Sequence, residues 1–379
     1  MSGVLDGIRI IEQGTFITGP AAGVLLADLG ADVIKVEQPG TGDPFRASPD
    51  GTYYDPNFQA FNRNKRSIAL DTRQPGDLQT FDALVRDADV FIQNFRPGIA
   101  ERLGVGAQRL QQLNPRLVYC SISGFGSSGE AATRPCYDTI AQAASGYLNM
   151  MLNPENERVL GPAVADSLTG FYAAYGILGA LHERHRTGRG RIVEVSMLAA
   201  MIHFNVDAFT HYFADGEQMG PYSRPAASQA HVLPCRDGKR IALHMSTPIK
   251  FWEALIAATG EPERFDDPRF HPRARRIANH ALVIETLKPI FVKRDRAEWC
   301  QRLEEHDVPF APVYSVPEVL SAPELAALDV RLDTRPGTRE FSTVRNPVRF
   351  DGRPIDSLRA PPLLDEHRDE ILADMARTT

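Results

Sequence analysis

IRIIEQGTFITGPAAGVLLADLGADVIKVE, residues 8–37, decides how the rest of the chain is read. Residues 8–12 are an apolar run of strand length, and the glycine-bounded GTFITGP loop follows. Residues 21–29 have helical periodicity and close at Gly30, a residue type that suits a helix stop. Asp32–Glu37 reads as a second strand. Two strands separated by a helix need a crossover, and a crossover makes them parallel. The pattern repeats with strand 67–70, helix Pro75–Arg86, strand 90–94, helix 100–113 and strand 117–123. Such alternation predicts an α/β fold, a Rossmann-like parallel sheet with helices on both faces. Ligands of these sheets sit at the carboxyl ends of strands, so the loops after Glu12, Glu37, Asn94 and Ser123 are the places to search.

A second stretch, residues 161–195, reads GPAVADSLTGFYAAYGILGALHERHRTGRGRIVEV. Asp166 stands at the start of a long helix in which Leu168, Phe171, Tyr172, Tyr175, Leu178 and Leu181 recur at helical spacing. Gly170, Ala173, Gly176, Gly179 and Ala180 keep the other side small. A helix apolar nearly all round is expected to be buried, and its first turn then offers unpaired N–H groups to an anion. On its residues alone Asp166, with Ser167, is either an ordinary N-cap or a functional carboxylate.

At 379 residues two domains are the default. Strand 191–195 and helix 197–213 close a large domain over 1–214, and 215–228 (DGEQMGPYSRPAAS from 215) reads as a linker. Residues 229–316 form a smaller α+β domain: a hairpin over 231–244 with an Asp-Gly turn, then helices over 248–258, 281–291 and Arg296–Glu305, with Asp295 as cap. Residues 317–379 are too thin in apolar residues for a third core and are expected to return to the large domain.

A net charge of −6 argues against nucleic acid or an acidic membrane as partner. No stretch approaches the roughly 18 apolar residues of a transmembrane helix, and MSGVLDG lacks a signal pattern. A cytoplasmic protein is expected, with Cys120, Cys136, Cys235 and Cys300 as free thiols. No metal is expected, because the histidines have no acidic partners at ligand spacing. Residues 124–129, GFGSSG, match the dinucleotide fingerprint G-x-G-x-x-G, but EAATRP follows where a helix should open. A glycine-rich loop beside a ligand fits better than an NAD site. Arg63, Lys65, Arg66 and Arg73 against Asp71, with Arg96 and Arg102 further on, suit either a phosphorylated ligand or a solvated face. No G-x-S-x-G elbow occurs, which weakens a hydrolase reading.

These blocks resemble the class III CoA-transferases, the family of formyl-CoA transferase, carnitine–CoA-transferring enzymes and α-methylacyl-CoA racemase. The resemblance rests on LDGIRIIE, GPAAGVLLADLGADVIKVEQPGTGDPFR, NRNKRSIALD, ADVFIQNFRPGIAERLG, NPRLVYCSISGFG, ADSLTG with GRGR, and DEHRDEIL. It implies acyl-CoA and a small carboxylic acid as substrates, coenzyme A rather than a tightly bound cofactor, and an interlocked homodimer. By the same resemblance Asp166 is the nucleophile and Tyr137 an active-site residue, while Leu70, Arg73, Asn94, Phe95, Arg96 and Arg102 contact CoA. The racemases have a His-Asp pair where this chain has Tyr137-Asp138. An acyl-CoA racemase or isomerase and, from another class, an NAD-dependent oxidoreductase are the alternatives. The chain departs from the formyl-CoA enzyme at Ile17 and Gln38, and it lacks that branch's tetraglycine loop. The expected mechanism has Asp166 ionised at neutral pH and oxyanion donors in the loop Gly124 to Gly129.

Overall fold

The computed structural model describes residues 3–46, 56–246, 248–335 and 338–378. The chain divides into two compact units, Met1–Leu148 with Val159–Val206 and Asp329–Thr379, and Asn149–Arg158 with Asp207–Leu328.

The first unit is built on six parallel strands, β1 (Arg9–Gln13), β2 (Asp32–Glu37), β3 (Lys65–Ala69), β4 (Val90–Gln93), β5 (Val118–Ser123) and β6 (Ile192–Ser196), in the order β3-β2-β1-β4-β5-β6. Successive residues of a strand point to opposite faces, and both faces are apolar here. Ile10, Val33, Val90, Ile92 and Val118 pack under helices Thr18–Asp28 and Val164–Thr187. Ile11, Ile34, Phe91 and Tyr119 face helices Pro75–Arg86 and Ala107–Leu113 on the other side.

Two predicted helices are each broken in two. The segment expected over 100–113 divides into Ile99–Arg102 and Ala107–Leu113 around Gly104, which takes the left-handed φ of +73° that no continuing helix tolerates. The one expected over 197–213 becomes Met197–Phe204 and Val206–Asp215, interrupted at Asn205. Helices Pro56–Asn62 and Asp138–Ala144 had no clear sequence signal.

The long helix, Val164–Thr187, is not buried all round. Its small side packs inward, and a Cβ on Gly170 would lie 2.6 Å from Ala21 Cβ and 3.0 Å from the Thr18 carbonyl oxygen. That contact brings it against Thr18–Asp28. Its large side points out, with Phe171 61% and Tyr175 72% exposed.

The C-terminal part runs along the free edge of β3. The His367 N–H donates to the Ser67 carbonyl, Asp365 accepts from the Ala69 N–H at 2.7 Å, and Asn64 and Arg359 exchange bonds. Helix Arg368–Thr378 then places Ile371 in the core, and Arg66 bonds its Glu370 and Asp374.

The second unit carries an antiparallel sheet of β7 (Ala230–Pro234), β8 (Arg240–His244) and β9 (Phe310–Pro312). Gly238, at φ +74°, makes the β7–β8 turn. Trp252, Leu255, Phe265, Phe291 and Trp299 centre its core. Asp295 and Glu298 form a reciprocal cap on Arg296–Glu305. The segment read as a linker contains a helix, Ser223–Ser228. Val316–Ser321, in the expected tail, belongs to this unit.

Candidate active site

The strand order reverses between β1 and β4, and the loops leaving these two strands diverge there. Asn94 ties them together. Its Oδ1 accepts from the Thr15 N–H at 3.0 Å, and its Nδ2 donates to the Thr15 carbonyl and to Thr18 Oγ1 at 2.8 and 2.9 Å. A Cβ on Gly14 would lie 3.1 Å from Gly19 Cα, so glycine is what lets the loop fold this tightly. The result is a cleft of about 430 Å³ whose walls include Thr15 to Thr18, Asn94 to Pro97, Arg134, Tyr137 and Asp166.

Asp166 enters it from the first turn of the long helix. It does not cap that helix. Asp138, in the first turn of Asp138–Ala144, accepts from the N–H groups of Ala165 at 2.8 Å and Asp166 at 3.3 Å. The anion at this N-terminus is therefore a neighbour's carboxylate, which leaves the Asp166 side chain free for the cleft. Beneath it lies an apolar cluster of Ala141, Ala165, Met197 and Met201. Burial and then the charge of Asp138 push the Asp166 carboxyl up to about 7. This corrects the expectation of a carboxylate fully ionised at neutral pH: the amides meant to hold the charge are spent on Asp138. Burial also raises the nearby Cys136 thiol, with Asp166 and Asp138 acting the same way, so it stays protonated.

The wall beside Tyr137 is aromatic. Phe16 meets Tyr137 edge-on with ring centres 6.1 Å apart, and Phe45 edge-on at 5.3 Å. Phe16 has a φ of +60°, a costly conformation for a bulky residue. Buried Asp43 holds it, its Oδ1 accepting from the Phe16 N–H at 3.3 Å and the Phe45 N–H at 2.9 Å. Its other oxygen pairs with Lys35 at 2.9 Å, and Glu12 bridges Lys35 at 3.1 Å and Lys65 at 2.6 Å. Burial pulls the Lys65 ammonium down to about 8 even with Glu12 beside it.

That network removes most of the basic run from consideration as a phosphate site. Lys65 is fully buried, Arg66 bonds Asp32, Glu370 and Asp374, and Arg63 pairs with Asp28. Of the residues singled out in the sequence, Asp166, Tyr137, Asn94, Phe95 and Arg96 line the one cleft. Leu70 is buried against a second cavity of about 120 Å³ that shares Thr15 and Phe95 with the first. Arg73 is exposed and bonds Asp71 and Gln38, and Arg102 is exposed and lines neither cavity. Only Gly124 of the glycine loop reaches the cleft; the Gly126 N–H is spent on Ser123 Oγ at 3.1 Å, which removes it as an oxyanion donor. No helix opens after the loop, so the dinucleotide pattern lacks its phosphate-binding element. Sequence reading missed Phe16, Phe45, Asp43 and Arg134, and it gave Asp138 no capping role. Their only linear signal was proximity to glycines and to Tyr137. Among the described residues no His, Cys, Asp or Glu cluster is able to hold a metal.

The site is thus an open α/β sheet with a carboxylate near its switch point and a loop pinned by Asn94. A family profile described as CoA-transferase family III covers residues 5–368, and the chain belongs to that family. It is similar to acetyl-CoA:oxalate CoA-transferase of Acetobacter aceti, 34% identical over 92% of this chain and 90% of that protein. The succinate–glutarate CoA-transferase of Agrobacterium fabrum is 33% identical over 98% and 95%. The crystal structure of a CaiB/BaiF family protein from Brucella suis superposes with a TM-score of 0.87, at 32% identity over 99% of this chain and 100% of that one.

Proposed function

We propose that this enzyme moves CoA from an acyl-CoA donor to a carboxylic acid, with Asp166 as nucleophile. The observation that carries the reading is a half-buried carboxylate, uncommitted to its own helix, facing a cleft at the switch point. A carboxylate oxygen of Asp166 attacks the thioester carbonyl, the C–S bond breaks, and a mixed anhydride and CoA thiolate result. The thiolate attacks the aspartyl carbonyl, releasing the donor acid and leaving an aspartyl-CoA thioester. The acceptor carboxylate reverses both steps and restores Asp166. One thioester is exchanged for another and no net proton is consumed, so the balance requires neither ATP nor a metal.

Arg96, exposed on the cleft wall, suits the phosphates of CoA, and Phe95 offers an apolar surface. We assign Leu70, Arg73, Asn94 and Arg102 supporting roles around CoA, with Asn94 acting through the loop it pins. The Tyr137 hydroxyl positions the acyl group. The outward face of Phe171, Tyr175 and Leu178 supports a homodimer, which the family resemblance makes an interlocked one. No helix of the described residues is long and apolar enough to cross a membrane, and the four free thiols suit the cytoplasm.

The test is to incubate the protein with acyl-CoAs, quench, and examine the Asp166 peptide by mass spectrometry. A CoA adduct or a hydroxylamine-sensitive acyl adduct is expected, and Asp166→Ala should lose both. Retention of transfer by that variant would refute the mechanism.

A further inference from the structure

The transferase reading leaves the acid unnamed, and the walls around the nucleophile bear on it. Burial and the charge of Asp138 raise the Asp166 carboxyl. Arg134 does line the cleft, but its guanidinium lies over the Phe125 ring, 5.2 Å from the centroid. The cleft's cations are Arg96, suited to the CoA phosphates, and Arg134, laid on the Phe125 ring, so a second substrate carboxylate is paired only by drawing Arg134 off that ring.

One side of the cleft is hydrocarbon. Phe16, Ile17, Phe45, Tyr137 and Met197 line it together with Asp166. Phe16 makes edge-to-face contact with both Phe45 and Tyr137, so the three rings form one wall. The wall is held from below by Asp43, whose one oxygen takes the N–H groups of both phenylalanines. The strained backbone of Phe16 is kept by that bond and by the Lys35 charge behind it.

We propose that the acyl subsite takes acids with an apolar hydrocarbon body, seated against Phe16, Phe45 and Tyr137, and that Asp43 is the positioning residue for this wall. The proposal rests on the transferase reading and names the substrate class of the same cleft. Dicarboxylic acids are the competing class.

The experiment uses the full chain and two donor series, acetyl-, butyryl- and hexanoyl-CoA against succinyl- and glutaryl-CoA. Across the first series kcat/KM should rise about fourfold per buried methylene. Succinyl-CoA should fall about tenfold or more below butyryl-CoA, since its distal carboxylate must either draw Arg134 off the Phe125 ring or be desolvated against the aromatic wall. Phe16→Ala and Phe45→Ala should flatten the chain-length slope while acetyl-CoA is less affected. Asp43→Asn keeps an acceptor oxygen but loses the Lys35 pairing, so it should retain more of the slope than Asp43→Leu, which loses both. If Asp43→Leu fails to fold, the two Phe variants still decide. Preference for the dicarboxylyl donors, or a slope untouched by both Phe variants, overturns the proposal. If adducts form on Asp166 and dicarboxylyl donors win, only the substrate class is wrong. If neither series gives transfer or an adduct, the transferase reading falls and the proposal with it.

Discussion

Asp166 and Asp138 act on one another, and the sign of that coupling is testable. A carboxyl raised to about 7 in the folded protein, against 3.8 for the ordinary group, binds more protons folded than unfolded between those values. Its contribution to stability therefore falls as pH rises from about 4 to 7 and stays unfavourable above that. Asp166→Asn should raise the melting temperature more at pH 8 than at pH 5, as scanning calorimetry would report. Equal shifts at both pH values would contradict the raised pKa. Activity runs the other way, since attack needs the carboxylate: kcat/KM for acyl-CoA should climb through about pH 7 and level off above it. Asp138→Asn keeps an acceptor for the Ala165 N–H but removes the neighbouring charge, so it should move that midpoint to lower pH. Asp166 stood out in the sequence because a family block surrounds it, and the structure has it line the cleft. Its protonation was not legible there: Asp138 lies 28 residues away, and no periodicity links a carboxylate to a helix start it does not belong to.

At the scale of elements, the close approach of Val164–Thr187 to Thr18–Asp28 depends on one missing methyl. Gly170→Ala would place a Cβ within van der Waals overlap of Ala21 and Thr18, and overpacking of this kind costs about 1–3 kcal/mol. Denaturant titration should show that loss, with activity falling alongside because the same helix carries Asp166. The alternation of strands and helices was readable from β1 to β5, since each strand is apolar on both faces and each helix is periodic. The long helix, expected to be buried nearly all round, is buried on its small side alone. The large residues look like a core stripe in sequence, but glycines and alanines win the inside because they let backbones approach. The basic run was read as either a ligand site or a solvated face and is mostly neither: a sequence shows charges and hides the buried carboxylates of Glu12 and Asp28 that take up Lys65 and Arg63.

For the whole molecule, the proposed homodimer would cover the exposed face of Phe171 and Tyr175. Sedimentation should show a dimer at micromolar concentration, and Phe171→Glu with Tyr175→Glu should yield monomers. A wild-type monomer would remove the dimer reading.

The C-terminal part lies along β3, where Ala69 and Asp365 bond across 296 residues of sequence. During synthesis the sheet strands emerge from the ribosome long before the segment that covers their open flank. Until release, every nascent chain presents β3 as an unpaired template to its neighbours, the situation in which strands of different chains join. A chain ending before residue 357 would make that interval permanent. It should express into the insoluble fraction even though Asp166 and the cleft it lines are all encoded upstream.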